Sequence, residues 1–464
     1  MTAPVQDRLQ PEAAPGEEYG LTPEIIEAMV EALRAGDRER VQKIVEDLLY
    51  PADVADLIEH LEPDDRGRLV AAMRGRLDPE VLPELDETIR DEVLALLNSE
   101  ELTAAIRELD TDDALAVIAD LDETQRNALL ARLPPADRLA LEQGLTYPEY
   151  TAGRLMQRKL VAVPAFWTVG ETIDYMRGSP NLPDDFYDIF VVDPRHRPLG
   201  TVPLSRIMRS RRPVRIGEIM DADVTPIPVT MDQEELAFVF RQQDLVSAPV
   251  TDENGRLAGV ITIDDVVDVI DEEAEDDIMK LGGALEQDVH ASPLRTVRRR
   301  QRWLTVTLFN TVLASAVISG FEGSIERIVA LAVLMPIVAA MGGNAGMQVV
   351  TTVVRALATR NLTASNALRV VRKELLVGIL NGLTFATLMS TVAVLWFGDV
   401  WLGVILAVAM VINMVWAGLA GTAIPLLLAR FGVDPAVAAG PFLTTTTDVL
   451  GFFVFLGLAT LVLL

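Results

Sequence analysis

The sequence predicts a multidomain membrane protein: an all-helical N-terminal region, a duplicated α/β region and a five-helix transmembrane domain. Three observations carry that prediction. First, the 464 residues are half apolar yet have a formal charge of −28, and the charge is segregated. From Trp303 onward there are 6 acids and 7 bases; of the 68 acids and 40 bases in the whole chain, the first 302 residues therefore hold 62 and 33, a net −29. Second, a pattern of strands and helices within residues 146–272 occurs twice. Third, the last part of the chain is a series of apolar runs of membrane-spanning length.

The opening residues 1–20 have no apolar core of the kind a signal peptide needs, and read as a disordered N-terminus. The soluble part is accordingly expected in the cytoplasm. Residues 21–145 place apolar side chains at helical spacing, as in "PADVADLIEHLEPDDRGRLVAAM", broken by "LEPDD", "LDTDD" and "LPPAD" turns, which predicts a small all-helical domain. Its acids read first as a solvated face.

In residues 146–272, "LMQRKLVAVPAFWTVGETIDYMR…FVVDPRHRPLGTVPLSRIM" is echoed by "IMDADVTPIPVTMDQEELAFVFR…APVTDENGRLAGVITIDDVV". Val163 answers Ile227, Asp193 answers Asp252 and Gly200 answers Gly259, and each copy reads strand, helix, strand, turn, strand, helix. The pair resembles a tandem CBS domain. In such modules a Ser/Thr-x-x-Asp pattern contacts nucleotide; Thr262 and Asp265 match it in the second copy, while the first copy lacks the aspartate. Residues 273–302 read as an acidic linker and connecting helix; at its start Asp271, Glu272, Glu273, Glu275, Asp276 and Asp277 repel one another on a helix, and the arginines of "RTVRRRQRW" follow further on.

Five apolar runs follow, near 303–320, 327–354, 374–397, 401–429 and 436–464, within a transmembrane domain of residues 303–464. Arginine and lysine cluster before the first run and between the second and third, and Arg430 lies between the fourth and fifth. The positive-inside rule then keeps the soluble domains cytoplasmic and puts the C-terminus outside.

The fifth run carries Asp448, roughly 20 Å from either end of its helix at 1.5 Å per residue. An ionised side chain there costs about 3 kcal/mol even on the lenient insertion scale, so it is expected to face a polar path. Gly440, Thr444 and Asp448 form one stripe at i, i+4, i+8, and Gly440-Pro441 is expected to weaken the helix below them. In the second run, Gly342, Gly343, Asn344, Gly346 and Gln348 bring amides into apolar surroundings, with Thr351 a turn further on. The chain has no cysteine, and His60, His196 and His290 are scattered, so oxygen ligands remain. These suit hard cations such as Mg²⁺, Ca²⁺ or Mn²⁺. The acidic soluble part excludes a nucleic-acid role.

With these motifs in order, "YPEYTAGRLM", "EEAEDDIMKLGG", "MGGNAGMQ", "RALATRNLT" and "VDPAVAAGPFLTTTTDVLG", the chain resembles the MgtE magnesium channels over nearly its whole length. The resemblance implies a homodimeric Mg²⁺ channel of the bacterial inner or plasma membrane, multi-pass, with its pore on the dimer axis between the second and fifth spans. It gives Asp448 the role of the ion-selecting aspartate and puts Gly343, Asn344, Thr351, Gly440 and Thr444 along the pore. Met347, Gly440 and Thr444 depart from some members. The resemblance further implies closure by regulatory Mg²⁺ at Glu234, Asp244, Asp265, Asp268, Glu273, Asp276 and Asp277, with Asp112 or Asp113 matching in the N-domain. It leaves an ATP site at the CBS domain open. A non-enzyme is expected, and the alternative is a proton-coupled divalent-cation carrier of broader specificity (Mn²⁺, Co²⁺).

Overall fold

A computed structural model describes residues 21–48, 50–179, 182–183, 185–283, 292–363 and 365–464. The expected disordered start at residues 1–20, and residues 284–291 of the linker, lie outside the described residues. The chain forms two compact units, residues up to Ile270 and residues from Asp271.

The first unit begins with ten short helices: α1 (Pro23–Ala35), α2 (Arg38–Asp47), α3 (Pro51–His60), α4 (Pro63–Ala72), α5 (Val81–Glu84), α6 (Glu87–Leu96), α7 (Ser99–Glu108), α8 (Thr111–Asp120), α9 (Glu123–Leu130) and α10 (Pro135–Gly144). Their brevity follows from one repeated device. Leu61, Leu97, Leu109 and Leu121 each leave the helix in an extended conformation. Three of them, Leu61, Leu109 and Leu121, are buried in the core, and an acidic or Asn-capped turn starts the next helix. Asn98 shows the start signal fully formed: its Oδ1 accepts from the Glu100 and Glu101 amides at 2.9 Å each, and Glu101 accepts from the Asn98 amide. Met29, Leu57, Ile58, Leu69, Leu82, Ile89, Leu115 and Ile118 fill the core.

After α11 (Ala152–Leu155) the two copies appear as paired three-stranded sheets. In the first, β1 (Ala162–Pro164) runs parallel to β2 (Asp188–Val192), which is antiparallel to β3 (Pro198–Pro203). In the second, β4 (Ile227–Pro228), β5 (Ser247–Thr251) and β6 (Leu257–Thr262) repeat the arrangement. The register repeats as well. Val191 faces Gly200, Val250 faces Gly259, and each sheet has its irregularity at the next residue. Both glycines are needed for a close backbone approach: a Cβ at Gly200 would run into the Asp221 carbonyl, and one at Gly259 would lie 2.6 Å from the Gln157 carbonyl. The helices are α12 (Val169–Gly178), α13 (Leu204–Arg209), α14 (Ile216–Ile219), α15 (Gln233–Gln243) and α16 (Ile263–Leu281).

Among the described residues the second unit holds five helices long and apolar enough to cross a membrane: α17 (Pro293–Ser319), α19 (Ala330–Ala358), α20 (Ala367–Phe397), α21 (Val400–Arg430) and α22 (Pro435–Leu463). A short helix, α18 (Glu322–Arg327), joins the first two. At 27 to 31 residues each is longer than a bilayer core of about 30 Å requires. Three boundaries differ from expectation. α17 starts at Pro293, before the expected start of the first span at 303, so its arginines lie on the same helix as that span. α20 starts at Ala367, which puts Glu374 two turns inside, buried, and not at the helix end. Gly440-Pro441 leaves α22 unbroken. Hydropathy marks where a helix is greasy, and helical hydrogen bonding continues past that point.

Candidate ion pathway and acidic cluster

In the membrane unit, α19 and α22 pack against each other through small residues. A Cβ at Gly346 would lie 2.8 Å from the Leu443 side chain, and one at Gly440 would lie 3.1 Å from Met347 Cε. As the α19 number falls the α22 number rises, so the helices are antiparallel, with Asn344 running alongside the stretch from Thr444 to Asp448. Asn344 and Thr351 are exposed, Gly343, Thr444 and Asp448 are half-buried, and Gly440 is buried. Thr444 donates to the Gly440 and Pro441 carbonyls at 3.2 and 3.1 Å, which ties its hydroxyl to the backbone. The Pro441 carbonyl also accepts from Asn310 Nδ2 of α17 at 3.3 Å. Among the described residues Asp448 has no hydrogen-bond or ion-pair partner, so its oxygens remain available.

Sequence reasoning passed over a residue that holds these helices. Asn413, at 1% exposure in the middle of α21, donates through Nδ2 to the Val338 carbonyl of α19 at 2.8 Å, and its Oδ1 is buried without a partner. Gly342 and Gly451 make room for it: a Cβ at Gly342 would overlap the amide, and one at Gly451 would lie 2.9 Å from Nδ2. A lone amide in a 31-residue apolar helix, facing glycines two residues before Asn344 and three beyond Asp448, was the available signal. Glu374 is the second such residue. It pairs with Lys373 at 3.1 Å and lines a cavity of about 230 Å³ with Gln348, Thr352 and Asn381.

In the soluble unit, Asp112 and Asp113 occupy the first turn of α8, and Asp265 the first turn of α16. Burial and then the neighbouring Asp265 charge push Asp112 well above the usual carboxylate range, and one Asp112 oxygen is buried without a partner. Burial first and Asp265 second push Asp113 up to about 7. Asp265 is pushed up to about 6, by burial and then by Asp264. Glu84 is raised by burial and by Asp268. Oxygen donors crowded without a countercharge fit a hard dication, although no group of three is disposed as a ready-made cage among the described residues. Thr262 donates to Asp265 at 3.0 Å, so the two residues matching the nucleotide pattern bond each other.

The other sequence-selected acids are distributed. Glu234 lies in the first turn of α15, and Asp244 is its left-handed C-cap with φ of 52°. Asp276 and Asp434 both bond Lys280, the latter at 2.9 Å, which keeps the ammonium charged despite its burial. Burial and then Asp434 raise Asp277.

Five spans carrying a mid-depth carboxylate unpaired among the described residues, in a chain that also holds an acidic α/β repeat, define a multi-pass cation transporter. The comparisons agree. Residues 335–458 match the MgtE divalent cation transporter model, 49–150 the MgtE intracellular N domain and 216–272 the CBS domain. The magnesium transporter MgtE of Thermus thermophilus is 34% identical over 442 residues, 94% of this chain and 98% of that protein. The Bacillus subtilis magnesium transporter MgtE is 28% identical over 94% of this chain and 97% of that protein. A crystal structure of the cytosolic domain of the Mg²⁺ channel MgtE in complex with ATP is 31% identical, covering 53% of this chain and 99% of that one, with a TM-score of 0.49. The chain belongs to the MgtE family of magnesium transporters.

Proposed function

We propose that this protein is a Mg²⁺-selective channel of the bacterial inner membrane, working as a homodimer and gated from the cytoplasm by Mg²⁺ itself. The observation that carries the reading is the set of polar residues Asn344, Thr351, Thr444 and Asp448 on two antiparallel, largely apolar helices, with Asp448 unpartnered among the described residues. A hydrated Mg²⁺ holds its water tightly, so one carboxylate with nearby amide, hydroxyl and backbone oxygens suits it better than a closed cage. A two-fold axis would present that carboxylate twice.

Gating follows from the acids. Asp112, Asp113 and Asp265 disfavour joint ionisation, and a dication among them reverses the sign of the interaction. Mg²⁺ bound there would hold the N-domain against the CBS pair, and Glu234, Asp244, Asp268, Glu273, Asp276 and Asp277 supply further carboxylates for regulatory ions. ATP at Thr262 and Asp265 remains a separate proposal. The domain limits (21–145, 146–272, 273–302 and 303–464) and an external C-terminus belong to the same reading.

The test is Mg²⁺ uptake into proteoliposomes. Uptake driven by the Mg²⁺ gradient, unaffected by a protonophore and suppressed by high Mg²⁺ on the domain side, is expected. Uptake that collapses with the proton gradient would favour the carrier.

A further inference from the structure

We propose that a cleft where the two hairpin turns of the repeat meet the end of the helical N-terminal region binds a small phosphate-bearing anion. The cleft, about 710 Å³, is lined by Arg158, Arg195, His196 and Arg256 together with Gln143 and Tyr147. Its volume is within the usual range for small-molecule sites, roughly 300–1,000 Å³.

Its charge is opposite to its surroundings. The first 302 residues carry a large acidic surplus, yet among the described residues none of these three arginines has a carboxylate ion-pair partner. The turn aspartates beside them are occupied elsewhere. Asp193 Oδ1 accepts from the Arg195 and Arg197 amides at 2.7 and 2.9 Å, and Asp252 Oδ1 from the Asn254 and Arg256 amides at 2.8 Å each. Those bonds hold both carboxylates below the usual range; Asp252 also lines the cleft, and the two aspartates attract Arg195 and Arg256 without a close ion pair among the described residues. Arg158 is the sharper case. Its Nη1 donates to Gln143 at 2.8 Å, while Nη2 is buried with no hydrogen-bond partner. A guanidinium taken partly out of water without a countercharge is costly, and an oxyanion in the cleft would satisfy it.

The repeat supplies an independent sign. Asp193 to His196 and Asp252 to Gly255 form the same turn, each closed by a 2.9 Å bond from the fourth residue's amide to the aspartate carbonyl. The second copy uses Gly255 at φ 73°, the ordinary choice for a left-handed position. The first copy uses His196 at φ 63°, a conformation that non-glycine residues adopt at a cost. His196 lines the cleft, and its carbonyl accepts from the Leu257 amide at 2.8 Å, locking the two turns together. Strain kept at a position that delivers a donor to a basic cleft points to a ligand. Forked guanidinium groups select phosphate by paired N–H donors. Neither Thr262 nor Asp265 lines this cleft.

The experiment is calorimetric titration of the detergent-solubilised full chain, freed of Mg²⁺, with pyrophosphate, ATP and sulfate. Saturable binding of pyrophosphate is expected, weakened about tenfold or more by Arg195→Gln/Arg256→Gln, whose exposed side chains leave the fold intact, and by Arg158→Gln. ATP binding more tightly than pyrophosphate, with the same variant sensitivity, would identify the source as a nucleotide; equal binding would identify the phosphates alone. No saturable binding, binding unchanged in the double arginine variant, or sulfate binding as tightly as pyrophosphate would overturn the proposal.

Discussion

Asp112, Asp113 and Asp265 have carboxyl groups that the fold prefers to keep protonated, and this gives the soluble region a distinct pH response. A carboxyl raised on folding contributes stability that is fully present below about pH 4 and is lost as pH rises through the folded values, here about 6 for Asp265 and about 7 for Asp113. In chelator, the thermal midpoint of the soluble region should therefore fall between about pH 5 and about pH 8, and added Mg²⁺ should raise it more at the higher pH. Asp113→Asn should shrink that difference. A Mg²⁺ effect independent of pH would contradict the assignment. At this scale the sequence was partly readable. Asp448 stood out because a carboxylate in an apolar run is costly, and Asp265 because it completes a Thr-x-x-Asp pattern in the second copy of the repeat. The closeness of Asp265 to Asp112 depends on tertiary packing between α8 and α16, which no local pattern encodes. Asn413 escaped because one amide does not disturb the hydropathy of a long span.

Helix α21 acts on the pathway helices through that amide. Asn413 bonds the Val338 carbonyl and occupies the space left by Gly342 and Gly451, so it sets how closely α19 and α22 approach. Overfilling such a contact costs typically about 1–3 kcal/mol. Gly342→Ala should lower both thermal stability and Mg²⁺ flux, and adding Asn413→Ala to it should restore part of both, because the new methyl then has room. Flux and stability no better in the double variant than in Gly342→Ala would refute the wedge. Asn413→Leu removes a buried unpaired oxygen and should leave stability near native, while altering the Mg²⁺ to Ca²⁺ flux ratio. The elements themselves were legible: the 3.6-residue period, the leucine-acid breaks and the twofold repeat all reappear as helices, caps and sheets of matching register. Their ends were less so. α17 and α20 run several residues past the apolar stretch, since flanking arginines are good helix formers at the membrane surface.

For the whole molecule, the charge segregation seen in the composition becomes two compact units, one acidic and one membrane-spanning. If regulatory Mg²⁺ neutralises the acidic unit, limited proteolysis of the full chain should cut residues 21–302 faster in chelator than in millimolar-order Mg²⁺, with protection lost in Asp112→Asn/Asp265→Asn. Identical cleavage in both conditions would remove the gating reading and leave the transport reading standing. Whether Asp448 selects the ion is decided by Mg²⁺ flux into liposomes holding the native protein or Asp448→Ala, in equal folded amounts. If Asp448 is the selecting carboxylate, the alanine variant loses most of its Mg²⁺ flux and its preference for Mg²⁺ over Ca²⁺; native flux with native selectivity would show that it is not.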